Sequence, residues 1–198
     1  MNRALVQFAL IVAVAVGLAA CPPVTSKTPI GSTVKAEADP ALTGMWKGRI
    51  GNTKIFSYFT FLPQKDGTIT ALLITPPSAQ DEGGWGAFNL QTVALGSNHF
   101  INARETFEDN KTASGAMADN VIPLLYRING DGAVVVYIVD ENAAKTAIRN
   151  GKITGTIQEG EFGDIVLTAA PGDLDAYMAS PAGRALFVKP LTILRKVK

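Results

Sequence analysis

The sequence contains few of the residues that carry most metal and redox chemistry. Its 198 residues include one cysteine, Cys21, and one histidine, His99. One cysteine cannot form a disulfide within the chain, so the folded part must be held together by its core alone. A zinc site normally needs three or four His, Cys or carboxylate ligands, and neither EF-hand spacing nor a phosphate-binding glycine loop is present. We therefore expect no metal and no cofactor.

Clustered charge is also missing. The chain has 18 basic and 17 acidic residues and a formal net charge of +1, with no long run of either sign. Nucleic-acid binding needs clustered Lys and Arg, so the composition predicts no nucleic-acid partner. It gives no reason to expect a partner held by charge.

The first twenty residues have the pattern of a targeting segment. Arg3 supplies a positive charge, and Ala4 to Ala20 are apolar apart from Gln7. This run is slightly shorter than the roughly 20 residues of a membrane span and longer than the roughly 7–15 residues of a secretory signal core. A plain transmembrane anchor and an ordinary secretory signal are the alternatives to the interpretation that follows.

The end of this run, Leu18-Ala19-Ala20-Cys21, resembles the lipobox of bacterial lipoproteins. The resemblance implies that residues 1–20 are a signal peptide cut before Cys21, and that the thiol and the new amine of Cys21 are acylated. Two or more acyl chains hold a protein stably on a membrane. Pro22, rather than Asp, follows the cysteine, and the resemblance then implies the outer membrane, with the protein facing the periplasm.

The rest of the chain divides into a linker and one domain. Residues 21–40 contain Pro22, Pro23, Pro29 and several Ser and Thr, a composition typical of a flexible linker. The alternative is that this segment packs onto the domain. Residues 41–198, roughly 160 in number, are enough for one domain with its own core.

Short β-branched and aromatic runs separated by turn signals predict a mainly β domain. The strongest hairpin signals are Asp66-Gly67 and residues 129–132, and nearly every connection is short. Neighbours in sequence should therefore pair as an antiparallel meander, closed or half-closed into a barrel. The predicted strands are residues 54–62, 68–75, 85–95, 99–105, 122–128, 133–139, 152–158, 164–168 and 191–197.

Two short helical segments are expected in the C-terminal half. Asp140 is a good N-cap for residues 141–149, and Asp173 can cap residues 174–179. Ser180-Pro181 then predicts one further helical turn, to Phe187. The polar segment 104–120 is predicted to be a mobile loop.

The tripeptide Gly44-Met45-Trp46 resembles the Gly-x-Trp opening of lipocalin-like proteins. That resemblance implies a barrel in which Trp46 plugs one end and Arg195, from the last strand, packs across its ring as a cation–π pair. The alternative is a different antiparallel sheet with Trp46 as a core anchor. Gly44, Trp46 and Arg195 are structural residues in either case.

Three functional hypotheses remain open. The first is a non-enzymatic binding or interaction module, with Trp85 as a contact for an envelope protein. The second is a carrier of a small apolar ligand, with a cavity of about 300 Å³ or more; Phe56, Tyr58, Phe59 and Phe61 are the candidate lining residues.

The third hypothesis is a hydrolase, disfavoured because no Gly-x-Ser-x-Gly motif is present. It would use His99, or the carboxylates of Glu105, Glu108 and Asp109, and requires these groups to converge in one cleft.

Overall fold

The computed structural model describes residues 22–32, 37–78, 82–108, 111–113, 116–158, 160 and 163–198. Twelve strands are described: β1 (Thr25–Ser26), β2 (Gly44–Gly48), β3 (Ser57–Pro63), β4 (Ile69–Thr75), β5 (Gly84–Leu95), β6 (Asn98–Glu108), β7 (Lys111–Thr112), β8 (Ile122–Ile128), β9 (Val134–Ile138), β10 (Gly155–Ile157), β11 (Ile165–Leu167) and β12 (Lys189–Lys196). The helices are α1 (Ala116–Asp119), α2 (Glu141–Arg149), α3 (Pro171–Ala179) and α4 (Pro181–Arg184), and Pro40–Leu42 forms a 3-10 turn.

Eight of the strands close into an antiparallel barrel. The order around the ring is β2-β3-β4-β5-β6-β8-β9-β12, and β12 pairs with β2 to complete it. The eight strands follow one another around the ring in chain order, with β7 left out between β6 and β8 and with β10 and β11 left out before β12. Such an order is expected when short connections join neighbours. The prediction of a mainly β antiparallel meander is confirmed, in its closed form.

The two ends of the barrel differ. We call one the turn end, because tight turns join β3 to β4, β5 to β6 and β8 to β9 there. We call the other the loop end, because it carries the longer connections: residues 49–56, 76–83, 109–121 and 139–188.

The turn end is closed by the chain that precedes β2. Leu42, from the 3-10 turn, and Trp46 are both buried there, and the Trp46 indole N–H donates to the Leu42 carbonyl over 2.7 Å. Asp39 accepts a 2.6 Å hydrogen bond from the Tyr126 hydroxyl. Burial and the neighbouring Asp39 carboxylate raise the pKa of Tyr126 far above its usual range. Thr92 on β5 also donates to the Glu37 carbonyl.

A second hydrophobic core lies outside the barrel. The chain between β9 and β12 contributes α2, α3, α4 and the small sheet of β10 and β11, which pack on the outer faces of β5, β6 and β8. Phe100, Leu125, Leu174 and Met178 are buried at the centre of this core. Alternate residues of β6 and β8 therefore face two different cores, which explains why these strands are apolar on both faces.

Residues 22–32 belong to this second core, so the prediction of a flexible linker is wrong for them. Val24 and Ile30 are buried, and β1 pairs in parallel with β11. The Asn102 side chain bonds both the N–H and the carbonyl of Ile30, each over 2.8 Å, and the Gly31 N–H donates to Asp175 over 2.6 Å. Two apolar side chains and satisfied backbone groups offset the cost of ordering this proline-containing segment.

The predicted helical segments are present, with two corrected boundaries: α3 begins earlier than predicted, and α4 ends at Arg184 and not at Phe187. Asp140 accepts from the Ala143 N–H and caps α2, and Ser180 caps α4. Helix α3 begins at Pro171, three residues before the predicted start, so Asp173 lies in its first turn and the N-cap is Ala170. Proline is well tolerated at the first helical position, which accounts for the earlier start. Within the described residues no helix is both long enough and apolar enough to cross a membrane.

The segment 104–120 is not the loop that its polar composition predicted. Strand β6 continues to Glu108, β7 pairs with its last residues, and α1 follows. The first part of the segment keeps its strand conformation because β6 is paired with β5 along its whole length.

Replacing Asn102 by Ala should lower the free energy of unfolding by about 3 kcal/mol. The change leaves the Ile30 N–H and carbonyl buried without partners, at about 1–3 kcal/mol for each group. Urea unfolding of the full chain measures the loss. Asn89→Ala, at an exposed position on β5, is the matched control and should change stability by less than about 0.5 kcal/mol. Equal stability of the two variants would mean that residues 22–32 do not contribute to the core.

Candidate functional site in the barrel interior

The barrel interior contains an apolar cavity of about 120 Å³. Successive side chains of a strand point to opposite faces, so every second residue of the barrel strands faces inward. Where these inward residues are small, as at Ala71 and Ala103, space remains between the walls. Large apolar residues form most of the lining, among them Phe59, Phe61, Phe88, Leu90 and Ile101.

The cavity extends toward the loop end of the barrel. Pro23, Ile50 and Leu191 line it there, whereas Leu42 and Trp46 close the turn end. The volume is smaller than the roughly 300 Å³ or more of a drug-sized pocket and close to that of an engineered cavity of about 150 Å³ that binds benzene in another protein. The interior therefore accommodates one ring or a short alkyl chain.

Thr192 places an unpaired hydroxyl in this apolar wall. Its side-chain oxygen is buried and finds no hydrogen-bond partner among the described residues. Gly48 on the adjacent strand leaves room for it, since a Cβ at Gly48 would lie 2.6 Å from the Thr192 oxygen. Leaving a hydroxyl buried without a partner costs about 1–3 kcal/mol.

Glu105 is the second unpaired polar group. It is 4% exposed and lies on β6 two residues after Ala103, on the same inward face, directly opposite the cavity-lining Phe88. No hydrogen bond to its carboxyl group is formed by any part of the chain that the structure describes. A buried carboxyl without a cation or donor is uncommon, because burial strongly disfavours its charged form.

An irregularity in the pairing of β5 and β6 puts a second carboxylate on the inner face. Ala87 pairs with Phe107 and Phe88 with Glu105, so Thr106 is the extra residue of a β-bulge. As a result Glu108, opposite Gly86, shares the inner face with Glu105. Burial, followed by repulsion from the Glu108 charge, raises the pKa of Glu105 to about 7.

Two of the five predicted ligand-binding residues line the cavity. Phe59 and Phe61 do so. Tyr58 faces outward, Phe56 precedes β3 and packs beneath the Arg49 guanidinium at 4.3 Å, and Trp85 stacks on Phe107 on the outer surface at a centroid distance of 5.7 Å. Phe56 and Tyr58 do not line the cavity, because the side chains of a strand alternate between its two faces. The contact of Trp85 with an envelope protein stays a prediction.

The cation over Trp46 is Lys196 and not Arg195. The Lys196 ammonium lies 5.4 Å from the ring centroid, and Lys196 pairs directly with Trp46 across β12 and β2. Arg195 therefore faces outward, where it forms a 3.0 Å ion pair with Asp131. Gly44 has a φ of 111°, a conformation that favours glycine, and a Cβ there would lie 3.3 Å from the Lys196 side chain.

His99 does not meet the carboxylates that the hydrolase hypothesis also names, although Glu105 and Glu108 share the inner face of β6. His99 is exposed near the turn end, with its ring 5.5 Å from that of Tyr126. Glu105 lies six residues further along β6, roughly 20 Å away in an extended strand. Asp109 lies outside the described residues, and within those described no three His, Cys, Asp or Glu side chains are grouped closely enough to hold a metal ion.

The polar composition of residues 104–120 predicts a loop that includes Glu105, whereas the structure places Glu105 in β6. The signal that identifies its position is the alternation of Ile101, Ala103 and Glu105, which places the carboxyl on the apolar side of a strand. The sequence gives no comparable indication for Thr192, because threonine is a common residue in strands. Only the closed ring shows that its hydroxyl meets no partner.

Cys21 lies outside the described residues, so its lipidation stays a prediction.

Replacing Glu105 by Gln should stabilise the protein increasingly as pH rises. In the wild type the carboxyl ionises in the unfolded chain near pH 4.5 but in the folded chain only near pH 7, so folded wild type binds more protons between these values and loses stability as pH rises. The variant lacks this loss. The difference in unfolding free energy between variant and wild type should therefore grow by about 3 kcal/mol from pH 4 to pH 8.

Urea unfolding at several pH values measures that difference. Glu82→Gln, at an exposed position beside β5, is the control and should differ from wild type by a nearly constant amount. A constant difference for Glu105→Gln as well would show that Glu105 is solvated.

Comparison of the chain with protein-family models, with curated proteins and with solved structures found no match. The likeness of Gly44-Met45-Trp46 to lipocalin-like barrels therefore stays a prediction, and so does the likeness of residues 18–21 to a lipobox.

Proposed function

We propose that this protein is a non-enzymatic binding module of the bacterial cell envelope that takes a small apolar group into its barrel. The observation that carries this proposal is the apolar cavity between the barrel strands. Burying apolar surface contributes roughly 25 cal/mol per Å², so a ring or short chain enclosed there gains affinity without polar contacts. Because the turn end is closed, the ligand enters from the loop end.

The proposal includes a lipid anchor on Cys21, with the outer membrane as its location. The support is the sequence of residues 1–21. Pro23, which lines the loop-end side of the cavity, follows Cys21 by two residues. An anchored molecule would then hold this end of its barrel near the membrane, so the membrane is the source of ligand that we favour.

A second candidate function is contact with an envelope protein through the outer face of the barrel. Met45 of β2, Leu62 of β3, Ile74 of β4 and Ile193 of β12 are about half exposed on that face. Within the described strands β2, β3, β4 and β12, no Asp or Glu points outward there, and Lys47 does. The matching partner is a protein with an apolar and acidic surface.

The binding proposal predicts saturable uptake of ethylbenzene by the full chain. The molecule is a single ring with two carbons, which suits the cavity volume. Binding should shift the alanine methyl NMR signals of Ala71 and Ala103, which line the cavity, before those of Ala144 and Ala147 in the second core.

Ala103→Leu fills the cavity and should weaken ethylbenzene binding by at least about tenfold, with Ala71 as the reporter. Thr60→Leu, on the outer face of β3, is the control and should leave binding unchanged. Added volume in a core can cost about 1–3 kcal/mol of stability, so folding of both variants is checked by their spectra. Unchanged binding in Ala103→Leu would exclude the cavity as the site and favour the outer-face function.

Replacing Cys21 by Ser should abolish lipidation and release the protein from membranes. Serine lacks the thiol that the lipobox resemblance requires, so the added lipid mass should disappear from the intact-mass spectrum. Fractionation of cells that express each form measures the location. If Cys21→Ser retained both the lipid mass and the membrane fraction of the wild type, the anchor would not be on this residue.

A further inference from the structure

The interior of the barrel contains a polar side chain whose need for a charged or hydrogen-bonding partner is not met. Native proteins pair nearly all buried polar groups. In the barrel interior the Thr192 hydroxyl is buried without a partner among the described residues, and the carboxyl of Glu105, a residue that is 4% exposed, forms no hydrogen bond with them. The free-energy costs of leaving these two groups without a partner differ. An unpaired hydroxyl costs a modest amount, whereas a buried carboxylate lacks the counter-charge that would let it remain ionised.

Among the described residues, no cation pairs with Glu105. The inward neighbours across the sheet are Phe88 on β5 and, beside Ala103, Ile122 on β8, and neither carries a charge. Glu108, on the same strand, adds a second negative charge, and Lys111 of β7 lies opposite Glu108 in the register. Among the described residues, burial is the larger influence on the pKa of Glu105 and the charge of Glu108 the smaller, and both disfavour ionisation.

We propose that the ligand of this barrel carries a protonated primary amine, which pairs with the Glu105 carboxylate while the apolar body occupies the cavity beside Ala103. This inference rests on the proposed binding function and specifies the class of ligand. A protonated amine provides both the missing positive charge and hydrogen-bond donors for the two carboxylate oxygens.

The spacing along β6 sets the shape of such a ligand. Glu105 lies two residues beyond Ala103, about 7 Å along the strand toward the loop end. An amine separated from a ring by two carbons can therefore reach the carboxylate while the ring contacts Ala103. The charged head then lies on the side from which the ligand enters, so it need not cross the apolar interior.

The test compares three probes that share one skeleton: 2-phenylethylamine, 2-phenylethanol and ethylbenzene. Each is titrated into the full chain at pH 8, and the alanine methyl signals of Ala71 and Ala103 give the dissociation constants. We expect the amine to bind at least about tenfold more tightly than either uncharged probe, because only the amine can form a charged hydrogen bond with the buried carboxylate.

Glu105→Gln keeps the size of the side chain and removes its charge. It should weaken amine binding by about 10- to 100-fold and change ethylbenzene binding by less than about threefold. Glu82→Gln is the matched control, because it removes one negative charge at an exposed position outside the barrel interior. It should preserve the preference for the amine. Retained ethylbenzene binding also shows that each variant still has its cavity.

Amine binding should also depend on pH through Glu105. A carboxyl group with a pKa of about 7 is mostly protonated at pH 5.5 and mostly ionised at pH 8, so the affinity should rise up to about 30-fold between them. Glu105→Gln should abolish this rise.

The outcomes distinguish failure of the amine assignment from failure of the proposed binding function. Ethylbenzene and the amine binding equally well to the wild type, or weakening equally in Glu105→Gln, would overturn the assignment of an amine and leave the apolar site in place. Absence of binding by all three probes would overturn the binding function and the amine together.

Discussion

The pairing of β12 with β2 is the contact on which the rest of the structure depends. Trp46 and Lys196 meet across it although 150 positions separate them in the chain, and only two residue pairs are in register. Without this contact the sheet would have two free edges, and its inner face would not enclose a volume. Closure also requires the chain to leave the ring after β9 and return at β12. The segment between β9 and β12 supplies most of the second core.

The alternation of side chains in the closed ring explains both the apolar cavity and the presence of two polar side chains, Glu105 and Thr192, on the inner face. Apolar inward residues exclude water, so any polar group among them must find a partner in the protein or in a ligand. The Thr192 hydroxyl finds none among the described residues, and the buried Glu105 lies beside the like charge of Glu108; both arrangements lower the stability of the fold. Such a cost is typical of binding sites, because a bound ligand can supply the partner that a buried polar group lacks in the protein.

The packing of residues 22–32 brings the proposed anchor close to the barrel. A free linker of about twenty residues would hold the domain tens of ångströms from a bilayer. Instead Val24 is buried and Asn102 fixes the backbone of Ile30, so residues that pack on the domain lie within a few positions of Cys21. Proline and serine content predicted a linker because composition does not reveal which few apolar residues find a core.

Turn residues and hydrophobic alternation predicted seven of the eight ring strands in their order, and strand β8 matches its predicted range, residues 122–128. Local signals succeed there because each turn specifies its own hairpin. Strand β2 was not predicted, and the predicted strands 152–158 and 164–168 correspond to β10 and β11, which lie outside the barrel. Only the tertiary structure decided that Lys196, and not Arg195, covers Trp46, and that Glu105 lies inside the barrel. It also decided the volume of the cavity. These properties depend on side chains from strands far apart in sequence, whose register and inward face are set when the ring closes.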